Sequence, residues 1–245
     1  MIYDTYTVFW REMILLRKKF RSFFAGSMVS PLLYLLSFGW GLGRNIQIDG
    51  TSYLNFVVPG IVALSAMNGS YSAAGTSLSV SRLYHKTLEE FLTAPISVLS
   101  LVLGNVSSGC FRGLFSSSLI ILFSYFFGAN LHLSGWFFVS LLLTCFLFAA
   151  LGLVAAMVVN SHEGMSRFST FVILPMTFLC GTFFKVENYP AAVATLVKIL
   201  PLTHCSISLR AIAMRAEFPL VSLLILAAYA AVLFALGMWV TARVE

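Results

Sequence analysis

The sequence predicts an all-α integral membrane protein with six transmembrane helices, an N-terminal interfacial helix and short re-entrant helices near its outer side. Hydrophobic residues make up 59% of the 245 positions, charged residues make up 10%, and the mean hydropathy is +0.93. Soluble domains contain about 25% charged residues, so this composition excludes a soluble globular class. Apolar segments of about the length that crosses a bilayer use up most of the chain. Residues 1–245 are therefore interpreted as a single transmembrane domain.

The first 21 residues are predicted to form a helix that lies in the membrane interface. Aromatic and aliphatic side chains alternate there with cations, which are Arg11, Arg17, Lys18, Lys19 and Arg21. This combination is typical of helices whose apolar face enters the headgroup region. The first span, residues 22–43, is uncharged and exceeds the roughly 7–15 residues of a signal-peptide core. We expect it to remain in the membrane, with the N-terminus in the cytoplasm.

The second span, residues 53–81, carries two neighbouring stripes at helical spacing. Small residues recur at every fourth position, at Ser65, Gly69, Ala73 and Ser77. Polar residues form the other stripe, at Asn68, Ser72, Thr76 and Ser79, and the first three of these are candidates for a substrate path. Two interpretations stay open: close packing between helices, or a polar lining for a substrate path. Both predict that this face points towards the interior of the protein.

An amphipathic stretch, residues 82–95, connects the second and third spans. Its apolar and charged side chains fall roughly on opposite faces of a helix. Thr87 and Glu90 have the spacing of a capping box, and Pro95 ends the predicted helix. The stretch is interpreted either as a solvated connector or as a short helix that binds another protein.

Arg112 is the one charged residue of the third span, residues 98–127, and it lies between Gly109 and Gly113. An arginine exposed to hydrocarbon costs roughly 2.5–3.5 kcal/mol on insertion scales. We therefore expect Arg112 to face a partner side chain or a cavity, and we count it among the candidates for a substrate path. The fourth span is predicted at residues 136–159.

The outer half of the C-terminal region is harder to assign. The fifth span is predicted at residues 168–184 and the sixth at 219–241. Between them, region 185–218 contains two apolar segments that Pro201 separates, and each is too short to cross a bilayer. We interpret them as half-helices that enter the outer leaflet and return.

The cations favour an orientation with both termini in the cytoplasm. In that topology nine Lys and Arg residues flank the inner side and five flank the outer side, as the positive-inside rule requires. The net charge of +6 is then interpreted as contact with anionic membrane lipids, and no nucleic acid is expected as a partner.

Motifs for catalysis are scarce. The sequence has no Gly-x-x-x-x-Gly-Lys-Ser/Thr loop and no Gly-x-Gly-x-x-Gly, so no cofactor is expected to bind this chain by those routes, and no metal-binding His-Glu-x-x-His is present. A Gly-x-Ser-Gly motif, as in rhomboid-like intramembrane proteases, is absent as well. Only Cys180 and Cys205 fall on the same oxidising side, and whether they form a disulfide stays open.

Several segments in order resemble the type-2 ATP-binding-cassette exporter permeases of bacteria. They are residues 52–61, the loop 82–95, residues 174–184, Tyr189-Pro190 and the segment 200–203. The resemblance implies a permease of the inner membrane that pairs as a homodimer and docks on two copies of a cytoplasmic ATPase subunit, which binds ATP and Mg. Relatives export drugs, lipids, glycolipids or polysaccharides, and the sequence does not separate these cargoes.

The resemblance also implies roles for particular residues. The loop after the second span would be the coupling helix that the ATPase grips, through Arg82, Leu83, His85, Lys86, Leu88, Glu89, Glu90, Phe91 and Leu92. The interfacial helix would brace this contact. The outer half-helices would act as an external gate, with candidate residues Phe183, Phe184, Tyr189, Pro190 and Pro201.

Two other classes are weighed beside the exporter. A secondary carrier driven by an ion gradient would normally use ionisable residues inside the membrane, and only Arg112 fits that description. An intramembrane enzyme is disfavoured because the expected nucleophile motif is absent.

Overall fold

The structure, a computed structural model, describes residues 2–42, 47–48, 51–84, 91 and 96–243. Most of this part of the chain is helical, which confirms the predicted all-α class. The helices of the first half are α1 (Ile2–Lys18), α2 (Phe20–Tyr34), α3 (Tyr53–Tyr71), α4 (Ser77–Leu83) and α5 (Val98–Phe126). Those of the second half are α6 (Gly135–Val158), α7 (His162–Phe168), α8 (Leu174–Leu179), α9 (Ala191–Ile199), α10 (Pro201–Ala213) and α11 (Leu220–Ala242).

Three π-helical segments join or extend these helices. They are Leu35–Leu42 after α2, Ser72–Thr76 between α3 and α4, and Ser169–Ile173 between α7 and α8. A two-residue antiparallel ladder, β1 (Gln47–Ile48) with β2 (Thr51–Ser52), precedes α3. A short 3₁₀ turn, Val186–Asn188, precedes α9.

Within the described ranges, three helices are long and apolar enough to cross a membrane, namely α5, α6 and α11. The pair α9 and α10 is bent by 89° at Leu200, where the sequence predicts half-helices, and would make a fourth span if it were counted as one. Helical stretches 20–42, 53–83 and 162–179 occupy the positions of three other predicted spans, but each contains a π-helical segment. The protein is therefore an α-helical membrane protein, and the count of six spans stays a prediction.

Helix α3 forms the centre of the core, packed against α5, α6 and α10. Glycine residues allow close contacts between these helices. A Cβ atom added at Gly113 of α5 would lie 1.9 Å from Ser70 Oγ, and one added at Gly152 of α6 would lie 2.8 Å from the backbone nitrogen of Gly75. Small residues thus serve helix packing here, as one interpretation of the sequence proposed.

The fifth predicted span ends earlier than the sequence suggests. Helix α8 stops at Leu179, and Gly181 then adopts a φ of 71°, which is accessible to glycine at little cost. The chain turns there towards the 3₁₀ segment. Helix α10 follows after Leu200 and is largely buried, with Leu202, Cys205 and Leu209 at 0% exposure. All four cysteines are free, so Cys180 and Cys205 do not form a disulfide in this structure.

Candidate functional site

The polar stripe of the second span was predicted to point towards the interior, and the structure corrects this: Ser79 is buried, but Asn68 and Ser72 lie on the accessible face of an otherwise buried helix. All residues of α3 except Asn55 and Asn68 are buried. Asn68 is exposed, Ser72 in the next turn is exposed, and Thr76 one turn further is half-buried. Polar side chains at i, i+4 and i+8 lie on one face of a helix. This face is therefore open, whereas the remaining faces pack against the protein.

Two cavities lie along this stripe. The first, which we call the basic cavity, has a volume of about 670 Å³ and is lined by Arg11, Leu15, Leu16, Lys19, Phe23, Ser72, Ala73, Thr76, Ser77, Val80, Ser81 and Arg112. The second, which we call the hydroxyl cavity, has a volume of about 450 Å³ and includes Ser27, Ser30, Ser65, Asn68, Ser72 and Thr177 in its lining. Phe23 and Ser72 line both, so the two cavities adjoin and form one groove.

All four path candidates line this groove. Asn68 borders the hydroxyl cavity, Thr76 and Arg112 border the basic cavity, and Ser72 borders both. One wall consists of α1 and α2, and the other consists of α3 and its π-helical extension. Residues Leu174 and Thr177 of α8 close the far end of the hydroxyl cavity. Arg112 and Ser116 of α5 also contribute, so the groove is assembled from four separate predicted spans and the interfacial helix.

Arg112 forms an ion pair that the sequence did not reveal. Its Nη2 donates to Glu12 Oε2 at 3.3 Å and to the Glu12 backbone oxygen at 3.2 Å. Glu12 is 5% exposed and Arg112 is 8% exposed. Arg11 also donates to Glu12, at 3.2 Å. The expectation that Arg112 faces a partner or a cavity is met on both counts, because it lines the basic cavity as well.

A sequence signal for Glu12 existed but is visible only in hindsight. The buried residues of α1 are Val8, Glu12 and Leu16, at a spacing of four residues. A carboxylate on the apolar face of an amphipathic helix requires a partner, since burying an unpaired charge is costly. The partner lies 100 residues further along the chain, and the packing of α1 against α5 brings the two together. Gly104 permits this approach, because a Cβ atom there would lie 2.6 Å from Val8 Cβ.

Arg82, a predicted ATPase contact, binds the end of another helix. Its Nη1 donates to the backbone oxygens of Ala156 and Met157 at 2.9 and 2.6 Å, and its Nη2 donates to Asn160 Oδ1 at 2.9 Å. The last carbonyls of a helix have no partner within the helix, and cations near them are favoured by the helix dipole. Arg82 therefore ties the start of the 82–95 loop to the C-terminal end of α6.

The other end of the same loop contacts α1. The Arg11 guanidinium lies over the Phe91 ring, 5.0 Å from its centroid, and Phe91 packs against the apolar cluster that contains Val8 and Leu101. Leu83 is half-buried at the end of α4. The remaining predicted coupling residues lie outside the described residues: His85, Lys86, Leu88, Glu89, Glu90 and Leu92.

The five candidates for an outer gate have different surroundings. Phe183 is buried, its ring lies 5.3 Å from Tyr34 and 4.4 Å from Phe38, and its backbone oxygen accepts from Tyr53 Oη at 3.0 Å. Pro201 is buried at the first turn of α10. The other three are exposed or half-buried: Phe184, Tyr189 and Pro190. Phe183 thus belongs to an aromatic cluster between the end of α2 and the α8–α9 turn.

Arg210 has a structural role that sequence reasoning missed. The predicted topology places Arg210 among the five outer cations. In the structure it lies within α10, where its Nε donates to the Phe56 backbone oxygen at 3.0 Å and its Nη2 donates to that of Gly181 at 2.7 Å. Its guanidinium also stacks 3.7 Å from the Phe56 ring centroid. It connects α10 with α3 and with the turn after α8. A cation inside a largely apolar segment was the available signal.

Among the residues that the structure describes, no group of three or more His, Cys, Asp or Glu side chains could hold a metal ion. The chemistry of the groove is instead that of hydroxyl, amide and cationic groups beside apolar walls. Such a surface can bind or conduct an amphipathic molecule.

The fold and the groove define an α-helical membrane protein with a partly polar groove beside a largely buried central helix. The family described as ABC-2 type transporter matches residues 3–214. The chain belongs to this family, which confirms the resemblance drawn from its motifs.

Three relatives illustrate the range of the family. The chain is 31% identical to the inner membrane transport permease YadH of Escherichia coli (strain K12) over 166 residues, which cover 66% of this chain and 64% of YadH, so less than two thirds of that relative is spanned. It is 31% identical to nodulation protein J of Rhizobium meliloti (strain 1021) over 204 residues, 80% of this chain and 76% of that protein. For nodulation protein J of Rhizobium leguminosarum bv. viciae the identity is 28% over 203 residues, with the same coverage. No solved structure matches significantly.

Proposed function

We propose that this chain is the membrane-spanning subunit of an ATP-driven exporter. In this proposal two copies pair as a homodimer in the bacterial inner membrane and dock on two copies of a separate cytoplasmic ATPase subunit, which supplies ATP and Mg. Each copy crosses the membrane six times, with both termini in the cytoplasm. Membership of the ABC-2 type transporter family supports the proposal.

One observation carries the assignment of the translocation path. The face of α3 that remains accessible is the polar stripe Asn68, Ser72 and Thr76, and this face borders a continuous groove. In a membrane protein a polar face is expensive against lipid, so it is retained where it meets protein, water or cargo. The groove provides the space for water or cargo.

The edges of the groove support a dimer. Leu33 of α2 is 55% exposed and Leu36 of the following π-helical segment is 43% exposed, and on α8, Leu174 and Phe178 are 50% and 49% exposed. Of these four residues, Leu174 also lines the hydroxyl cavity. A second copy packed against them would close the groove laterally and leave a path between the two subunits.

The anchors of the 82–95 loop support coupling to an ATPase. Arg82 ties one end to α6, and Phe91 contacts Arg11 of α1 at the other. Displacement of the loop would therefore move two elements, one of which forms a wall of the groove. An ATPase can drive such a change only if it binds two states of the permease with different affinity.

The first test is purification of the chain from native membranes in mild detergent, with identification of its partners and an ATPase assay. We expect a stoichiometric partner that carries a phosphate-binding loop. Recovery of the chain alone from several gentle detergents, without ATP hydrolysis, would contradict the proposal.

The path itself can be tested without knowledge of the cargo. In a background with the four native cysteines replaced by Ala, Ser72→Cys should react with a charged methanethiosulfonate reagent in membranes. Ser118→Cys is the matched control, because Ser118 is exposed on α5 and does not line either cavity. Equal reaction at both positions, or none at Ser72→Cys, would remove Ser72 from a water-accessible path.

The ion pair Glu12–Arg112 favours a second candidate, a carrier driven by an ion gradient. Buried ionisable groups near a groove can serve as proton-coupling sites. A transport assay in proteoliposomes separates the two functions, because the carrier would respond to a proton gradient in the absence of ATP and of any partner.

A further inference from the structure

The basic cavity is lined by more cationic side chains than there are described carboxylates in contact with them. Arg11, Lys19 and Arg112 all line it. Over the described residues, one carboxylate contacts this set, that of Glu12, which accepts from Arg11 and from Arg112. Glu12 compensates a single positive charge. Among the described residues, two positive charges around this space of about 670 Å³ have no carboxylate of their own.

The guanidinium of Arg112 is only partly satisfied by the protein. Within the described residues, both hydrogen bonds that it donates use Nη2, and its Nε is buried with no hydrogen-bond partner. A guanidinium has five N–H donors in a fixed planar arrangement that suits carboxylate and phosphate groups. Arg112 is 8% exposed and lines the cavity, so its guanidinium is held in place at the cavity wall.

The rest of the wall is mainly apolar. Leu15, Leu16, Phe23 and Val80 line the cavity together with the hydroxyl groups of Ser72, Thr76 and Ser77. A small hydrophilic anion would satisfy the cations but leave the apolar wall in contact with water. A neutral apolar molecule would cover the wall but leave buried donors without acceptors, which is costly. A ligand with an anionic head and an apolar chain satisfies both parts.

We propose that the basic cavity binds the anionic, phosphate-bearing headgroup of an amphiphile. Arg112 and Arg11 contact the headgroup, Lys19 lies at the exposed edge of the cavity, and the apolar chain packs against Leu15, Leu16 and Phe23. The same chemistry belongs to an anionic lipid of the bilayer and to an anionic amphipathic cargo. Binding of such a headgroup does not depend on the proposed exporter function, whereas a role of this site in transport rests on it.

The test uses the full-length chain in phosphatidylcholine nanodiscs and a labelled single-chain phosphatidic acid as the probe. The matched single-chain phosphatidylcholine with the same label reports binding that does not depend on negative charge, and empty nanodiscs report partition into lipid. The variant Arg11→Gln with Lys19→Gln removes two cavity cations. The control, Arg17→Gln with Lys18→Gln, removes two exposed cations of the same helix that do not line the cavity.

We expect the cavity variant to weaken binding of the phosphatidic acid by about tenfold or more, since each cation near an anionic headgroup contributes roughly a factor of five. The control variant should change it less than about twofold. Equal loss in both variants would show diffuse attraction to the helix and overturn the proposal, as would equal binding of the two probes to the wild-type chain. Melting temperatures of both variants verify that they remain folded.

A second arm separates the two sources of the ligand. In proteoliposomes with the ATPase subunit, ATP-dependent movement of the labelled phosphatidic acid to the other leaflet identifies a cargo site. Saturable binding without movement identifies a resident lipid. If specific binding persists but no ATPase partner is found, the exporter function fails and the binding site stands.

Discussion

At the scale of single residues, the Glu12–Arg112 pair has consequences for stability. Removing one member of a buried ion pair typically costs about 3–5 kcal/mol, because the other charge stays buried without its partner. We predict that Glu12→Ala lowers the melting temperature in detergent substantially. The double variant Glu12→Ala with Arg112→Met should recover part of this loss, since it leaves no unpaired charge.

The matched control for this prediction is Arg17→Ala, which removes an exposed charge of α1 and should leave the melting temperature nearly unchanged. A double variant that loses as much as the two single variants together would contradict a direct pairing of the two charges.

Residue by residue, the sequence predicted where the polar stripe lies along the helix, but not that Asn68 and Ser72 are exposed, and it did not predict the charged contacts. Asn68, Ser72 and Thr76 could be recognised because their spacing is local and helical. The partner of Arg112 could not, because it is set by how α1 packs on α5. Arg82 illustrates the same limit, since its acceptors lie on α6, more than 70 residues away along the chain.

At the scale of elements, glycine contacts decide how closely α3 and α6 approach. A Cβ atom at Gly152 would lie 2.8 Å from both the Gly75 nitrogen and the Tyr71 oxygen, which are backbone atoms that cannot move aside alone. We predict that Gly152→Ala lowers the free energy of unfolding by about 1–3 kcal/mol, as is typical of overpacked cores. The melting temperature should fall accordingly. Differential scanning fluorimetry in detergent measures it.

Gly135→Ala in the same helix provides the comparison, since nothing lies within 4 Å of a Cβ atom at Gly135. It should be neutral or slightly stabilising. Equal effects of the two substitutions would mean that helix propensity, rather than the contact with α3, determines the result.

The positions of the helices could be predicted from the sequence more reliably than the π-helical segments that interrupt them. The predicted spans 98–127 and 136–159 agree with α5 and α6 within about two residues, because uninterrupted apolar runs mark them. The π-helical segments, including the one that carries Ser72 and Thr76, had no recognised signature. The bend at Leu200 was placed correctly because Pro201 lacks a backbone donor and starts a new helix.

At the scale of the whole molecule, Arg82 and Phe91 near the two ends of the 82–95 loop contact α6 and α1. Movement of the loop can change the shape of the groove only if both contacts persist. Arg82 binds the carbonyls at the end of α6, and Phe91 lies under Arg11 of α1, which also lines the basic cavity. Under the proposed exporter function, the loop itself binds the ATPase and its anchors transmit the motion. Binding and transmission should therefore be separable by mutation.

We predict that Glu89→Ala with Glu90→Ala weakens docking of the ATPase, whereas Arg82→Ala preserves docking and impairs transmission. The measurable sign of transmission is a change in the labelling rate of Ser72→Cys when ATP is trapped on the ATPase. Arg82→Ala should reduce that change at least about fivefold, which corresponds to the lower end of typical coupling free energies. Arg167→Gln is the control, because Arg167 is exposed on α7 and pairs there with Glu163. If Arg82→Ala instead abolished docking while the labelling of Ser72→Cys was unaffected, Arg82 would be a direct ATPase contact rather than an anchor.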